Sequence, residues 1–306
     1  MFLAYGLTTQ PLKGVVAWAA AVDLAAMSAP ALFYRLQTAG PWLSALLAHV
    51  LTEVVSPESM RTNHPLRMVD ATTVNGPGAK GTEWRVHACA DPVSGRLQTI
   101  EITDPHGGES LTRHAFHAGD LVVADRGYAH ASGIAATLRE GANVLVRVNL
   151  ANVRLCDANR QKIDWRTLEP QVPTTGAVEF VLWMPEPPLN PSRSHKPWPL
   201  RRANSWSAVR VIAARPRVGH IIWLLTTATT GDLDAVTALA VYRLRWQIEL
   251  LFKRLKSLLS FDALPSRTEP LARSWILARL LAAALIERLI YQEPALSPWG
   301  YRIVGR

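Results

Sequence analysis

Three acidic residues, far apart along the chain of 306 residues, could together support metal-dependent chemistry. Asp70 ends an apolar run, and Asp125 directly follows the apolar run Leu121–Ala124. A carboxylate at the end of a buried strand is unfavourable unless it is paired, hydrogen-bonded or bound to a metal. If the two strands are neighbours in a sheet, both carboxylates converge on one point, which Glu249 could reach from a helix packed on the sheet. Hard divalent cations such as Mg²⁺ or Mn²⁺ would relieve the repulsion among three carboxylates.

The segment Leu233–Leu259 has the periodicity of one long helix. At about 100° per residue, four polar side chains fall within roughly 60° of arc: Tyr242, Arg245, Glu249 and Lys256. An apolar face lies beside them, formed by Leu244, Ile248, Leu251, Leu255 and Leu258. The polar groups could grip phosphates next to a bound metal. The alternative is a solvated stripe in which Arg245 and Glu249 form an i,i+4 ion pair. For Asp125 the alternative is a turn or helix N-cap.

The pattern Tyr242-x2-Arg245-x3-Glu249-x6-Lys256 resembles the Y-R-E-K signature of DDE transposases of the insertion-sequence-four type. The segments VDATTV around Asp70 and GDLVVADRGYA around Asp125 are similar to the first and second aspartate motifs of that family. The stretch between them, WRVHACADPVSGRLQTIEITDPHGGESL, is similar as well. The resemblance covers about residues 64–260.

The resemblance implies a ribonuclease H-like catalytic domain that cuts and joins DNA with two Mg²⁺ or Mn²⁺ ions. Asp70 would contact both ions, while Asp125 and Glu249 would each complete the coordination of one. One ion would activate water and later a DNA 3′-hydroxyl, and the other would stabilise the leaving oxygen. Phosphates near the transposon end would be held by three residues of the predicted helix: Tyr242, Arg245 and Lys256.

Further DNA contacts are expected around these residues. Related transposases stack an aromatic side chain near the site on a displaced base, and Trp246 is the candidate here. Arg126, beside Asp125, is a candidate phosphate contact. A basic loop around Trp198 could bind the DNA backbone or be a solvated loop; it contains Arg193, His195, Lys196, Arg201 and Arg202. The expected partners are double-stranded DNA, as terminal inverted repeats and as target, and a second copy of the chain in the synaptic complex.

The order of predicted elements favours an α/β fold, with a ribonuclease H-like mixed sheet flanked by helices. Residues 1–60 form a predicted helical N-terminal region with helices at Leu12–Met27, Leu32–Gln37 and Pro41–Val54. Predicted strands follow at Leu66–Thr73, Trp84–Ala90, Leu97–Thr103, Leu121–Ala124 and Asn143–Val148. Helices are predicted at Glu109–Phe116 and Ser132–Glu140.

The catalytic core is predicted to comprise residues 64–150 and 221–262, interrupted by a proline-rich, β-rich insertion at 151–220. The insertion carries predicted strands at Val178–Trp183 and Ser207–Ala213, and the core resumes with a strand at Ile221–Thr227. Residues 270–306 form a C-terminal helical segment. Its helix, Leu271–Tyr291, has apolar residues at heptad-like spacing: Leu271, Trp275, Ala278, Ala282, Leu285 and Leu289. Core packing is favoured over self-association for this face.

The composition is typical of a packed globular protein with a polyanionic partner. The chain is 49% hydrophobic and 19% charged, which argues against disorder, and its net charge of +9 favours nucleic acid first and an anionic membrane surface second. Cys89 and Cys156 have no CxxC spacing, so no disulfide framework or zinc site is expected. No clean span of about 20 apolar residues occurs, and we expect a cytoplasmic, nucleoid-associated bacterial protein.

Two other functions fit the same residues. A nuclease of the same fold without strand transfer would use the same carboxylates. A catalytically inactive transposase remnant would only bind DNA; the presence of all three carboxylates argues against it, while the short region before Asp70 suggests a truncated end-binding part. His114 and His117 lie three residues apart on the predicted helix Glu109–Phe116 and just beyond it. Because no third ligand accompanies them, we expect ordinary surface residues.

Overall fold

Eight strands of the computed structural model form one mixed sheet in the order β3-β2-β1-β4-β5-β8-β7-β6. The structure describes residues 1–8, 10–52, 64–76, 78–91, 96–150, 153–187, 205–217, 220–259, 264–266 and 268–292. The strands are β1 (Leu66–Val74), β2 (Trp84–Asp91), β3 (Arg96–Thr103), β4 (Leu121–Ala124), β5 (Asn143–Arg147), β6 (Ala177–Pro185), β7 (Trp206–Arg217) and β8 (His220–Thr226). The helices are α1 (Phe2–Leu7), α2 (Leu12–Ala21), α3 (Ala29–Thr38), α4 (Gly40–Thr52), α5 (Ala131–Arg139), α6 (Trp165–Leu168), α7 (Ala235–Leu244), α8 (Trp246–Leu259) and α9 (Glu269–Gln292).

The strand pairing confirms the predicted ribonuclease H-like fold. Strands β1, β2 and β3 form an antiparallel meander, and β4 and β5 then add in parallel to β1. Strand β4 is apolar and buried throughout, and β5 is apolar and buried between its terminal residues Asn143 and Arg147, as expected for strands that are covered on both faces. Strand β8 returns antiparallel to β5, and β7 and β6 continue the sheet from there.

Alternation along the central strands divides the core between two faces of the sheet. The front face is lined by Met68, Val123 and Leu145, which belong to one buried cluster together with residues of α1, α3, α4, α7, α8 and α9. The rear face is lined by Val69, Ala124 and their neighbours, which pack with residues of α5 and of the turn after β4. Because successive side chains of a strand point to opposite faces, the same alternation decides which polar side chains can meet.

The N-terminal region is helical, as predicted, and it packs on the C-terminal helix. Helix α9 contacts α1, α3, α4 and β3. Its central residues are buried on nearly all sides, and Trp275 is 1% exposed. This supports core packing for the apolar face of α9. Leu289, at the end of that face, is exposed.

Three helix predictions were wrong in detail. The segment Leu233–Leu259 is not one helix: α7 ends at Leu244 and α8 begins at Trp246, with Arg245 between them. The hydrogen bonds at this point run from Arg245 N–H to Tyr242 and from Ile248 N–H to Arg245, which is i→i−3 bonding and tightens the chain. Apolar periodicity could not reveal this break, because no proline or glycine marks it.

The segment Glu109–Phe116 contains only one 3₁₀ turn, Leu111–Arg113, instead of a helix. The predicted surface position of His114 is also wrong: its side chain is 5% exposed and its Nδ1 lies 2.9 Å from the Thr99 hydroxyl. Burial of Leu111 and Phe116 on the rear face draws the segment onto the sheet. The last of the three, the helix predicted at Leu12–Met27, ends at Ala21.

Two strands of the predicted insertion extend the main sheet. Strand β7 pairs with β8, and β6 pairs with β7 at the sheet edge. The division of the chain into core, insertion and terminal segments stays a prediction. Among the described residues, no helix combines the length and apolar character that a membrane crossing needs.

Candidate catalytic cleft

Asp70 and Asp125 occupy adjacent positions on neighbouring parallel strands. Val69 of β1 pairs with Ala124 of β4, so the next residue on each strand is an aspartate. By alternation both side chains belong to the front face, on which Met68 and Val123 are buried. Strand β4 ends at Ala124 while β1 continues to Val74, and the region beside β1 just past the end of β4 is named the cleft. The predicted convergence of the two aspartates therefore follows from the register of the sheet.

Asp125 is held in its ionised form by several donors and cations. The Tyr242 hydroxyl donates a hydrogen bond of 3.0 Å to Asp125 Oδ1. Burial, the largest single influence, would raise the pKa of Asp125, but it is outweighed by the Arg126 backbone N–H, the charge of Arg245, the Tyr242 hydroxyl and the charge of Arg147. The net result is a pKa below the ordinary value.

Asp70 is in the opposite electrostatic situation. Burial raises its pKa to about 6, although the Ala71 backbone N–H donates to Asp70 Oδ1 at 2.8 Å and Arg245 favours the charged form. The negative charges of Glu109 and Glu249 raise the pKa of Asp70 further. The negative charge of ionised Asp70 is therefore not balanced by the donors and cations around it. A divalent cation beside it would supply the missing positive charge.

Glu249 lies near the cleft but is engaged elsewhere. Helix α8 packs on β1 through the front-face cluster, with Ile248 and Phe252 buried. The Glu249 side chain is 52% exposed, and its Oε1 lies 2.6 Å from Arg245 Nη1. The i,i+4 ion pair considered as an alternative is thus present, although the charge of Glu249 still acts on Asp70.

Carboxylate oxygens are suitable ligands for a hard cation, but the side chains of Asp70, Asp125 and Glu249 are not gathered around a single point. In the described part of the chain, no group of three His, Cys, Asp or Glu side chains is gathered closely enough for a metal centre. The register of β1 and β4 places Asp70 and Asp125 at adjacent positions, whereas Glu249 is exposed and paired with Arg245.

Arg245 is the central cation of the cleft. Its side chain is 16% exposed, it pairs with Glu249, and its charge acts on both Asp70 and Asp125. The guanidinium also lies 5.7 Å from the centre of the Tyr242 ring. The break between α7 and α8 falls at this residue. The change from i→i−4 to i→i−3 hydrogen bonding therefore occurs at Arg245, the residue whose guanidinium pairs with Glu249 and whose charge acts on Asp70 and Asp125.

The remaining predicted contacts have different surroundings. Trp246 is 52% exposed at the start of α8, and Arg126 is exposed in the turn after Asp125. Lys256 is half-buried in the last turn of α8, seven residues after Glu249 and so on the same side of the helix. The basic loop around Trp198, with Arg193, His195, Lys196, Arg201 and Arg202, lies outside the described residues.

Two charged residues of the cleft were missed from the sequence. Arg147 ends β5, one position after Val146, which pairs with Ala124, so it lies next to Asp125. It is exposed, and its charge lowers the pKa of Asp125. Arg147 could have been found from the sequence, because it is a charged residue directly after the apolar run Val144–Val146, as Asp125 is after Leu121–Ala124. Glu109 gave no such signal, because it lies in a loop.

A ribonuclease H-like sheet with one aspartate within its first strand and a second directly after its fourth strand defines a class of enzymes that transfer phosphoryl groups of nucleic acids. Comparison with known proteins narrows this class. The family model described as "Transposase DDE domain" matches residues 61–285. The chain belongs to this family of DDE transposases, which implies dependence on a divalent metal, and it is a catalytic DNA transposase similar to the insertion-sequence-four type.

The chain is similar to two curated relatives over most of their length. It is 32% identical to the putative transposase InsL for insertion sequence element IS186A of Escherichia coli strain K12, over 96% of the chain and 84% of the relative. It is also 32% identical to the transposase for insertion sequence element IS421 of Escherichia coli, with the same two coverages. Among solved structures, the piggyBac transposase synaptic complex with hairpin DNA aligns with a TM-score of 0.49 and 8% identity, over 99% of this chain and 76% of that one.

Proposed function

We propose that this transposase cuts DNA at the ends of an insertion sequence and joins the ends to a target, with Asp70, Asp125 and Glu249 as ligands of two Mg²⁺ or Mn²⁺ ions. The observation that carries the proposal is the register of β1 and β4, which puts the two aspartates side by side on the face covered by α8. When bound, the two cations supply an activated oxygen nucleophile and stabilise the leaving oxygen.

The residues around the carboxylates prepare them for this role. Tyr242 orients Asp125 by its hydrogen bond and supports the ionised state needed for a metal ligand. Arg245 holds Glu249 in the absence of DNA. A phosphate can form two parallel hydrogen bonds with a guanidinium and so compete for Arg245. DNA binding would then release Glu249 toward Asp70 and couple completion of the metal site to the presence of substrate.

The DNA path is proposed to follow the cations and the aromatic side chain at the cleft. Arg126 and Arg147 are exposed on the sheet side near Asp125, and Trp246 is exposed on the helix side. Lys256 extends the same helix face. The net charge of +9 supports this path, because neutralising phosphates releases counterions from DNA.

The wider organisation is proposed on the same basis. Residues 64–150 and 221–262 form the catalytic core, with the insertion at 151–220, and residues 1–60 contribute to DNA-end binding. Residues 270–306 extend the helical packing. A pair of chains bridges two terminal inverted repeats before target joining. The site of action is the cytoplasm, where bacterial DNA lies.

The test is a cleavage assay with DNA carrying the ends of the insertion sequence. Asp70→Asn, Asp125→Asn and Glu249→Gln should each abolish Mg²⁺-dependent cleavage, while binding of the same DNA in Ca²⁺ is retained. Asp164→Asn serves as the matched control, because Asp164 is an exposed aspartate that caps α6. Cleavage by any of the three variants at the wild-type rate would contradict the assignment. If DNA with two paired ends is cleaved but the cleaved ends are never joined to target DNA, the protein is a nuclease without strand transfer.

A further inference from the structure

The turn after Asp125 carries a buried hydroxyl with no hydrogen bond. Tyr128 ends the 3₁₀ turn Arg126–Tyr128 and is 1% exposed, within the rear-face cluster. Its hydroxyl makes no hydrogen bond within the part of the chain that the structure describes. Burial raises the pKa of Tyr128, and the negative charges of Asp70 and Glu109 raise it further. The charges of both carboxylates therefore act on the phenol, although Tyr128 belongs to the rear-face cluster, on the side of the sheet opposite to α8.

Glu109 lies against the same turn. One of its carboxylate oxygens occupies the space that a side chain at residue 127 would fill, directly over Gly127. Gly127 has no positive φ, so the glycine is required here by the close approach of Glu109 and not by the backbone conformation. Among the described residues, the half-buried Glu109 carboxylate forms no hydrogen bond and no ion pair. Its negative charge acts on Asp70.

This arrangement is unfavourable for a purely structural carboxylate. A glutamate that only supported the turn would be expected to pair with a backbone N–H or a cation, as Glu101 does with Arg113 at 2.9 Å. Glu109 instead adds repulsion to Asp70, and Tyr128, in the turn that Glu109 lies against, has an unused hydroxyl. Both groups become satisfied if a hydrated cation is bound at Asp70, because Mg²⁺ keeps several of its waters and these waters donate hydrogen bonds.

We propose that Glu109 and Tyr128 are further positioning residues of the cleft, which bind water ligands of the divalent cation held at Asp70. The proposal rests on the proposed function, since it requires that Asp70 bind a cation. Glu109 accepts hydrogen bonds from the coordinated water, and the Tyr128 hydroxyl donates to or accepts from the same water shell. The cleft then has four acidic residues, with Glu249 on the helix side of Asp70 and Glu109 on the side of the turn.

Binding of Mn²⁺ to the full chain without DNA, measured by electron paramagnetic resonance, tests the proposal. Glu109→Gln keeps the size of the side chain and removes its charge, and it should weaken Mn²⁺ binding about tenfold, the lower end of the effect typical of residues that orient metal ligands. Gly127→Ala should act in the same direction, because its methyl group would displace the Glu109 carboxylate. Tyr128→Phe should weaken binding severalfold.

Glu101→Gln is the matched control, because it makes the same substitution on strand β3, which is separated from β1 by β2. It should leave Mn²⁺ binding within about twofold of the wild type. Thermal unfolding in EDTA should show Glu109→Gln to be at least as stable as the wild type, because the substitution removes a negative charge that repels Asp70. In cleavage assays the Mg²⁺ concentration for half-maximal rate should rise in Glu109→Gln, while KM for DNA stays unchanged.

The outcomes separate the two proposals. If Asp70→Asn loses Mn²⁺ binding while Glu109→Gln and Gly127→Ala bind as the wild type does, the inference about Glu109 and Tyr128 is overturned and the proposed function stands. If Asp70→Asn binds Mn²⁺ as tightly as the wild type, or the wild type shows no saturable binding, the proposed function itself is overturned.

Discussion

Asp70→Asn should inactivate the enzyme and at the same time stabilise the metal-free protein. The Asp70 carboxylate is largely buried, the negative charges of Glu109 and Glu249 act on it, and its pKa rises from 3.8 to about 6. A tenfold change in a protonation constant corresponds to about 1.4 kcal/mol, so the ionised form of Asp70 lowers the free energy of unfolding by up to about 3 kcal/mol. Asparagine is neutral, and its carbonyl can still accept the Ala71 N–H. We expect a gain of about 1–3 kcal/mol.

The gain should depend on pH with a definite sign. Below pH 3.8 Asp70 is protonated in both the folded and the unfolded state, so its ionisation costs nothing. Between pH 3.8 and about 6 the folded state holds the proton that the unfolded state has lost, and the wild type loses stability relative to Asp70→Asn. Above pH 6 the difference is complete.

Urea unfolding of both proteins in EDTA, at pH 4 and at pH 8, measures this difference. Mg²⁺ should then stabilise the wild type and not the variant, because the cation binds only the folded site. Asp125→Asn is the matched control with the opposite sign: the pKa of Asp125 is lowered, so its ionised form stabilises the fold and its replacement should destabilise the protein at pH 8. An Asp70→Asn variant that is less stable than the wild type at pH 8, or equally stabilised at both pH values, would refute the reasoning.

Three further predictions concern charge and protonation. Arg245→Gln should bind Mn²⁺ severalfold more tightly without DNA, because a competing cation is gone. The steepness with which the logarithm of the DNA association constant falls with the logarithm of salt concentration should decrease by about 1. An unchanged slope would exclude a phosphate contact. Tyr242→Phe removes the hydrogen bond to Asp125, so the acidic limb of the pH–rate profile should move to higher pH and the rate at neutral pH should fall about tenfold; an unmoved limb would show that the bond is dispensable. Burial lowers the pKa of His87 and of His114 to about 4. The unfolded state therefore takes up protons first as pH falls from 6.5 to 4, stability is lost in that window, and His87→Gln with His114→Gln should flatten the loss in urea unfolding; an equally steep loss would count against it.

Much of the candidate site could be predicted from the sequence because its signals are local. An aspartate directly after an apolar run is recognisable in the sequence, and this identified Asp70 and Asp125. Strand β4 ends just before Asp125, whereas β1 continues past Asp70 to Val74. The spacing of Tyr242, Arg245 and Glu249 carried the family resemblance without any knowledge of the backbone. The order of strands and helices was sufficient for the fold class, because few sheets accommodate it.

The break at Arg245 and the position of Glu109 could not be predicted in the same way. A helix that changes from i→i−4 to i→i−3 bonding keeps nearly the same apolar periodicity, so α7 and α8 look like one helix in the sequence. Glu109 lies in a loop, where periodicity gives no orientation. Its position over the turn after Asp125 depends on the glycine at 127, which belongs to the second aspartate motif and not to its own segment.

The sequence by itself determined the chemical groups, their order along the chain and the strand end that precedes Asp125, since these depend on composition and local periodicity. Only the tertiary structure decided that Val69 pairs with Ala124, that Arg147 lies beside Asp125 and that Glu249 is engaged with Arg245. Register joins segments that are far apart in the chain. The partner of an exposed carboxylate is chosen by competition among all nearby charges, and that competition exists only after the chain has folded.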